Sequence, residues 1–371
     1  MTRHLRTIPA IAVAALLLAT TACAESDSGG GSASSDSKVL HVYSGRHYDV
    51  EKAFKQYEDE TGVKVEFLTG NDAELRERIA AEGEDTEADV YITVDAGNLA
   101  SAAEDGLFQP MDSPKLRKVI PAQYRDPDDL WFGLALRART IIYNKDALSE
   151  DEVPKHYEDL AKPEWKGRVC LRNSTNDYQQ SLVASMIAQD GEEKTLETLK
   201  GWTRNAEIYA NDVELIQAMA AGACDVGIAN HYYLARQLEE DPDLPVGLIW
   251  ANQDTGGTHV NISGGGITKH AKNPKLAQDF LEWLGTKGQS VLVDSNHEFP
   301  ASTEATPEPL ITEEFGLDFQ RQTLDAKQIG ELMGLPESTI ETRIARGRRM
   351  LRELALTPPE ERSRTRAAAV R

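Results

Sequence analysis

Residues 38–70 read KVLHVYSGRHYDVEKAFKQYEDETGVKVEFLTG, which is a strand-like segment, an amphipathic segment closed by Gly62, and a second strand-like segment. Apolar side chains in the middle segment recur at helical spacing, and glycine commonly ends a helix. Residues 71–98, NDAELRERIAAEGEDTEADVYITVDAGN, add a helix that starts on an Asn/Asp cap and a buried strand. Strands that alternate with helices predict a parallel α/β sheet.

The same alternation returns later in the chain. It runs from WKGRVCLR (165–172) through the helix around SLVASMIAQDG (181–191) to VELIQAMAAGAC (213–224) and DVGIAN (225–230). We therefore predict an α/β protein with two lobes. The expected segments are a first lobe over 38–137, a second lobe over 138–258, a return to the first lobe over 259–320, and an atypical tail over 321–371.

The chain has 371 residues and a formal net charge of −21. This length can form two ordinary domains or one large α/β domain with a sizeable core. The excess of carboxylates argues against nucleic acid or an anionic membrane surface as the main partner, and it suits a protein that handles cations. An acidic surface that only promotes solubility is the alternative.

The N-terminus indicates an export signal. Arg3 and Arg6 precede an apolar run that is too short to span a bilayer, and small residues lead up to Cys23. This layout predicts a signal peptide over residues 1–22, and Cys23 resembles the acylated cysteine of bacterial lipoproteins. Residues 23–37 then comprise the lipidated cysteine and a flexible tether rich in Gly, Ser and Asp. An ordinary cleaved signal that happens to contain cysteine is the alternative.

Two further cysteines, Cys170 and Cys224, each lie by a predicted strand. In an oxidising compartment an isolated pair of cysteines favours a disulfide over two free thiols. A soft-metal site is the alternative, and the lack of histidines at suitable spacing disfavours it.

Tyrosines follow three of the predicted strands. Tyr48 comes after the first strand, Tyr143 lies in TIIYNK, and Tyr232 and Tyr233 follow DVGIAN. Ligands of open α/β sheets bind beyond the carboxyl ends of strands. Neighbouring side chains on a strand point to opposite faces, but this alternation breaks where a strand gives way to a helix. The two consecutive tyrosines can therefore face one cleft.

The chemistry of phenols narrows the choice of ligand. A phenol stays neutral at ordinary pH unless a strongly charged Lewis acid replaces its proton, and its oxygen is a hard donor. Several phenolates, with His47 as a further donor, therefore indicate a trivalent ion such as Fe(III). Four phenolates on Fe(III) leave one excess negative charge, which Arg46, Arg137 or Arg139 could offset. Ordinary half-buried or sugar-stacking aromatics are the alternative.

Several motifs together resemble the ferric-iron-binding solute-binding proteins of bacterial ABC importers. They include YSGRHYDVEKAF, ADVYITVDAGNLASAAEDGLFQP, WFGLALRARTIIYNK, WKGRVCLRNSTNDYQQSLVASMIA and CDVGIANHYYLARQ. The resemblance runs from about Val39 to about Phe319. It implies a periplasmic-binding-protein fold of type II, whose two lobes close on iron about a hinge.

The resemblance also implies a set of metal ligands. His47 is a ligand in some members of the family, and His231, which stands where threonine is more usual, is not expected to be one. Some members hold carbonate or phosphate through an arginine in the helix after VDAGNL. Here that stretch, ASAAEDG, contains no arginine, which favours a site made by the protein alone. The implied ligands are Tyr48, Tyr143, Tyr232 and Tyr233.

Other polar residues have plainer interpretations. Asn176 and Asp177 start a helix and are expected to be caps, with a supporting role at the site as the alternative. SGGGITK (263–269) lacks the spacing of a phosphate loop, so a segment that needs close backbone approach is favoured. His259 and His297 are expected to lie at the surface or to be hydrogen-bonded in the core.

The predicted function is that of a non-enzymatic receptor for Fe(III), lipid-anchored at the outer face of the cytoplasmic membrane. Iron is the transported ligand, and the partners are an ABC permease and its ATPase. A receptor for a sugar, polyamine or organic anion is the alternative within this fold. No nucleophile–base motif supports a hydrolase or transferase. A DNA-binding regulator would require a non-functional export signal.

The C-terminal tail does not fit this function. Residues 328–354, QIGELMGLPESTIETRIARGRRMLREL, resemble the helix-turn-helix at the end of alternative sigma factors. An exported protein does not meet the chromosome, so no nucleic-acid partner is expected. We hypothesise that fusion or a frameshift replaced the native end and left a helical tail without DNA function. An amphipathic helix that packs on the first lobe is the alternative.

Overall fold

The computed structural model describes residues 38–46, 49–323 and 326–334. Within these residues, eleven strands and twelve α-helices follow one another along the chain. The chain begins with the predicted strand and helix alternation. Its first elements are β1 (Val39–Ser44), α1 (Val50–Thr61), β2 (Lys64–Thr69), α2 (Asp72–Glu82), β3 (Val90–Thr93), α3 (Ala96–Glu104), β4 (Phe108–Gln109), α4 (Pro114–Val119) and β5 (Phe132–Asn144).

The middle of the chain repeats the alternation. Its elements are β6 (Val169–Arg172), α5 (Asp177–Asp190), α6 (Glu192–Asn205), β7 (Ala206–Tyr209), α7 (Asp212–Ala220), β8 (Val226–Asn230), α8 (His231–Glu240) and β9 (Val246–Ile249). The remaining described elements are β10 (Val260–Thr268), α9 (Pro274–Leu284), α10 (Gln289–Asp294), β11 (Phe299–Pro300), α11 (Pro309–Glu314) and α12 (Ala326–Gly334).

The strands form one continuous sheet in the order β2-β1-β3-β10-β5-β8-β6-β7. We call the part built on β1 to β3 and β10 the first lobe, and the part built on β6 to β9 the second lobe. Residues 132–138 of β5 pair with β10, whereas residues 139–143 pair with β8. The single long strand β5 therefore passes from one lobe to the other.

The first lobe is held by helices packed on the sheet through the predicted apolar positions. α1 buries Val50, Ala53, Phe54 and Tyr57, which recur at intervals of three or four residues. Phe54 and Tyr57 both meet the ring of Phe280 in α9 edge to face, with centroids 5.3 and 4.9 Å apart. Edge-to-face contact is a favoured arrangement of aromatic rings. The apolar positions that the sequence predicted for one face of α1 are thus the positions that the structure buries.

Glycines in the middle of β10 allow close approach of neighbouring backbone. A Cβ atom on Gly264 would lie 2.6 Å from the carbonyl oxygen of Phe132, and one on Gly266 would lie 2.4 Å from that of Leu130. Both distances are too short for a real side chain. Residues 263–268 are therefore a tightly packed part of β10, and the stretch 263–269 is not a phosphate-binding loop.

The second lobe contains a disulfide between Cys170 and Cys224, whose Cα atoms are 5.8 Å apart. Cys170 lies in β6, and Cys224 lies just before β8, which pairs with β6 in parallel. The disulfide therefore links β6 to the residue just before its neighbour β8, and the two cysteines are 54 positions apart in the sequence.

We expect the double variant Cys170→Ser, Cys224→Ser to unfold more easily than the oxidised protein. A cross-link of this span restricts the unfolded chain, so its loss should lower the free energy of unfolding by about 2–4 kcal/mol. Urea titrations of both proteins, followed by circular dichroism, measure the difference. Equal transition midpoints would contradict this expectation.

The end of the described chain contacts both lobes. Phe319 stacks on Trp250, which follows β9, with ring centroids 3.9 Å apart. Gln322 Oε1 lies 2.8 Å from Nδ1 of His259. α12 then packs against α3 of the first lobe and α5 of the second. The predicted return of residues 259–320 to the first lobe stays a prediction.

Most of the helix-turn-helix resemblance at 328–354 falls outside the described residues and stays a prediction. The part that is described, α12, buries Ile329. A Cβ atom on Gly330 would lie 2.9 Å from the carbonyl oxygen of Gly97 in α3, so the two helices approach closely. No described helix combines the length and apolar character that a membrane span needs.

Candidate metal centre

Two consecutive tyrosines stand where β8 gives way to α8. Asn230 ends the strand and His231 begins the helix, so Tyr232 and Tyr233 occupy the first helical turn. Their ring centroids are 4.2 Å apart at an interplanar angle of 34°, and both side chains are buried. The change from strand to helix therefore places the two phenols side by side.

A third tyrosine, Tyr178, joins this pair, although the sequence analysis did not select it. It is the second residue of α5, which Asn176 caps by accepting a hydrogen bond from the Tyr178 N–H at 3.1 Å. The strands before α5 and α8, β6 and β8, are parallel neighbours, so both helices start at the same edge of the sheet. Tyr178 meets Tyr232 edge to face with centroids 6.5 Å apart.

Tyr143 does not join this group. It pairs with Val226 at the start of β8, whereas Asn230 at the end of β8 pairs with Arg139. Four residues of strand separate these two positions by about 13 Å. The ring of Tyr143 lies instead against Gly247, where an added Cβ atom would be 2.8 Å from Tyr143 Cε1. The structure thus places Tyr143 apart from the pair, because β5 carries it away from the end of β8.

Tyr48 and His47 lie outside the described residues, so their candidate roles stay predictions. The adjoining Arg46 is buried. Its guanidinium forms an ion pair with Glu298 and donates a hydrogen bond to the carbonyl oxygen of Leu292 at 2.6 Å. Arg46 therefore anchors the loop after β1 to the end of α10 and the segment before β11.

Arg137 of β5 lies directly against the tyrosines. Its Cζ atom is 5.0 Å from the ring centroid of Tyr178, and its Nη1 donates to the Tyr178 hydroxyl at 3.3 Å. The Nε and Nη2 atoms are buried and have no hydrogen-bond partner among the described residues. By contrast, Arg139 Nη1 already bonds Asp212 at 2.9 Å. Of the three candidate arginines, Arg137 is placed to offset charge on phenolates.

Burial keeps the phenols protonated in the absence of a cation. It raises the pKa of Tyr232 well above the ordinary value, and the nearby oxygens of Tyr178 and Tyr233 raise it further. Burial also raises the pKa of Tyr178, which the charge of Arg137 opposes. Tyr178 and Tyr232 therefore ionise only when a strong Lewis acid takes the place of their protons.

Polar contacts tie the two lobes together near the tyrosines. Asn261 Nδ2 donates to Asp95 Oδ2 at 2.7 Å and to Ser181 Oγ at 2.9 Å, which links the cap of α3 to α5. Asp177, which the sequence suggested as a cap or a supporting residue, is the first residue of α5. Burial, with the negative charge of Asp95, raises the pKa of Asp177 to about 6.

The histidines near the cleft belong to the core. His231 stacks on Phe299 with centroids 4.5 Å apart, and its Nδ1 accepts a hydrogen bond from the Ala138 N–H at 3.2 Å. Burial lowers the pKa of His231 to about 3, so its ring is neutral. His259 and His297 are also buried and have polar partners, which fits the second of the two expectations for them.

No cluster of three or more His, Cys, Asp or Glu side chains suited to a metal ion occurs in the described part of the chain. The donors gathered in the cleft are instead the phenol oxygens of Tyr178, Tyr232 and Tyr233. Oxygen donors of this kind suit hard cations of high charge.

The shared strand, the two α/β halves and the cleft at the carboxyl ends of β6 and β8 define a periplasmic binding protein. Residues 85–315 match the family model described as bacterial extracellular solute-binding protein. Proteins of this class are substrate-binding proteins of transport systems and not enzymes.

Individual relatives are more specific. The chain is 43% identical to iron uptake protein A1 of Synechocystis over 275 residues, which cover 71% of this chain and 76% of the relative. It is 32% identical to the Fe(3+)-binding periplasmic protein of Serratia marcescens over 312 residues, which cover 81% of this chain and 91% of that one.

Solved structures agree with these relatives. A Trichodesmium protein in complex with iron and citrate superposes with a TM-score of 0.73 at 40% identity, covering 80% of this chain and 96% of that one. The ferric binding protein of Campylobacter jejuni gives a TM-score of 0.74 at 34% identity, with the same coverage. The chain belongs to the family of ferric-iron-binding periplasmic solute-binding proteins.

Proposed function

We propose that this chain is an extracytoplasmic receptor that holds Fe(III) in the cleft between its lobes. The phenolates of Tyr178, Tyr232 and Tyr233 bind the ion, and Tyr48 and His47 supply further donors from the loop after β1. One observation carries the proposal: three phenols from two different helices meet beside a buried arginine, Arg137, whose Nε and Nη2 have no hydrogen-bond partner among the described residues.

The charges of these groups favour a trivalent ion. Three phenolates balance the charge of Fe(III), and a fourth, from Tyr48, would be offset by Arg137. A divalent ion would leave the same phenolates with an excess negative charge inside a buried site, which is costly. Softer divalent metals also prefer thiolate or imidazole donors over phenolate.

Delivery completes the proposed function. Acylation of Cys23 and the tether over 23–37 hold the receptor at the outer face of the cytoplasmic membrane, where it passes iron to an ABC permease and its ATPase. The support is the family to which the chain belongs and the iron-related function of its relatives. Closure of the two lobes on iron is the change in shape that a permease can recognise.

The visible absorption spectrum of the protein with ferric citrate tests the proposal directly. Ferric citrate added to the purified full chain should produce a tyrosinate-to-iron charge-transfer band that saturates at one iron per protein. A receptor for a sugar, polyamine or organic anion would give no such band and would be stabilised by its own ligand. A colourless protein in excess ferric citrate would therefore reject the proposed function.

Ferric binding should weaken steeply as the pH falls. Tyr178 and Tyr232 are protonated in the free protein because burial raises their pKa values. Each phenol that binds iron releases one proton, so three phenols reduce the affinity by up to about 1000-fold for each unit of falling pH. Competition with a chelator of known pH dependence, between about pH 6 and pH 8, measures the slope. A slope near zero would show that phenolates do not bind the ion.

A further inference from the structure

Asp72 is a buried carboxylate with an unused oxygen. It begins α2, and only 2% of its surface is exposed. Its Oδ2 accepts a hydrogen bond from the Val94 N–H at 2.9 Å, whereas its Oδ1 has no hydrogen-bond partner among the described residues. Leaving a buried acceptor unpaired costs free energy. Such an oxygen is therefore a candidate to bind a ligand that the free protein lacks.

The free oxygen lies at the edge of the first lobe where ligands bind. A Cβ atom built on Gly45 would lie 1.5 Å from Asp72 Oδ1, so this oxygen packs closely against the backbone of the loop that follows β1. Val94, which holds the other oxygen, directly follows β3. β1 and β3 are parallel neighbours, and ligands of open α/β sheets bind beyond the carboxyl ends of such strands.

The charge of Asp72 acts on the residues of the tyrosine cluster. Burial raises its pKa well above the usual range, and the charge of Arg137, which contacts Tyr178, opposes this rise. In the other direction, the carboxylate of Asp72 is among the charges that raise the pKa of Tyr178. The packing agrees, because Val94, whose N–H binds Asp72 Oδ2, packs against the buried cluster that contains Tyr178, Tyr232 and Tyr233.

We propose that Asp72 Oδ1 is the carboxylate ligand that the first lobe contributes to the ferric ion, a role that rests on the proposed function. A carboxylate oxygen is the kind of hard donor that suits this ion. A ligand on the first lobe also couples iron binding to closure, because the ion then bonds to both lobes.

Asp72→Asn tests this role, because the amide keeps the shape and the bond from Val94 but loses the negative charge. In the full chain titrated with ferric citrate, we expect at least about a tenfold loss of affinity. We also expect the charge-transfer band to move to longer wavelength, because a weaker donor leaves the iron more electron-poor.

Asp89→Asn is the matched control. Asp89 is also a fully buried aspartate of the first lobe, but hydrogen bonds from the His41 N–H at 3.1 Å and the Asn273 N–H at 2.7 Å satisfy both of its oxygens. It should keep the affinity and the band of the unchanged protein. If Asp72→Asn also keeps both, the inference is overturned while the proposed function stands.

A crystal structure of the iron-loaded full chain decides the matter without any variant. The inference requires Asp72 Oδ1 at coordination distance, about 2 Å, from the iron. Asp72 Oδ1 bonded to Arg137 and outside the coordination sphere would overturn it. A full chain that gives no charge-transfer band with ferric citrate would end the proposed function, and this inference with it.

Discussion

Replacing Tyr232 by Phe should lower the affinity for ferric ion by about 100-fold or more. The substitution keeps the ring and removes only the oxygen that we propose binds the metal. Loss of an outer-shell partner alone costs about 10- to 100-fold in metal affinity, and loss of a direct anionic ligand costs at least the upper end of that range. Tyr178→Phe and Tyr233→Phe should behave alike, because the three phenols share one cleft.

Tyr143→Phe is the matched control for this series. Its ring is a buried part of the second lobe, packed beside Gly247 and away from the three phenols. We expect it to leave the ferric affinity and the charge-transfer band unchanged. Titration of each variant with ferric citrate against a competing chelator measures all four. A loss at Tyr143 as large as that at Tyr232 would show that the cleft has been placed at the wrong edge of the sheet.

Removing the carboxylate of Asp212 should destabilise the second lobe strongly. This fully buried side chain accepts hydrogen bonds from Arg139 Nη1 at 2.9 Å and Arg172 Nη1 at 2.5 Å. Asp212→Ala leaves two largely buried guanidinium groups without their negative partner. Breaking a buried ion pair in this way costs about 3–5 kcal/mol of the free energy of unfolding. Urea unfolding of the iron-free protein measures the change.

Asp225→Ala provides the comparison for Asp212→Ala. Asp225 pairs with Arg168 at the surface of the same lobe, where 41% of the arginine side chain is exposed. Water screens this pair, so its loss should cost no more than about 1 kcal/mol. Equal losses for the two variants would show that burial does not set the strength of these pairs.

The local pattern of the sequence was sufficient for the fold class. Apolar side chains at helical spacing in α1, and the apolar side chains of β3, are the same residues that the structure buries. This agreement has a physical cause: amphipathic helices and buried strands have few ways to bury their apolar faces other than in layers. The alternation of the elements then favours parallel pairing, which occurs between β1, β2 and β3 and between β6, β7 and β8. The two strands between these groups, β10 and β5, pair antiparallel with their neighbours, which the alternation did not predict.

The sequence predicted that Tyr232 and Tyr233 stand at a strand-to-helix turn, and the structure has them there. Tyr232 and Tyr233 were found because two consecutive tyrosines at the end of an apolar run mark a strand-to-helix turn. Tyr178 stands in the same kind of turn, after β6, but the cap residues Asn176 and Asp177 drew the interpretation to helix capping. A rule that examined every side chain in the first turn after each predicted strand would have included Tyr178.

Tyr143 shows what an apolar run does not reveal, namely where along a long strand the cleft lies. β5 is thirteen residues long and pairs first with β10 and then with β8. Its direction relative to β8 is antiparallel, so its end lies at the start of β8, opposite the edge that carries Tyr232. Strand direction and register are set by pairing with distant segments, so they cannot be predicted from the residues of one segment alone.

By itself, the sequence determined which segments become strands and helices, because the spacing of apolar side chains and the capping residues act over a few neighbouring positions. Only the tertiary structure decided that Tyr178 meets Tyr232, that Arg137 lies against Tyr178, and that one oxygen of Asp72 has no partner among the described residues. These are relations between residues far apart in the chain. They arise from how the sheet orders its strands and how the lobes pack, and that order is a property of the whole chain.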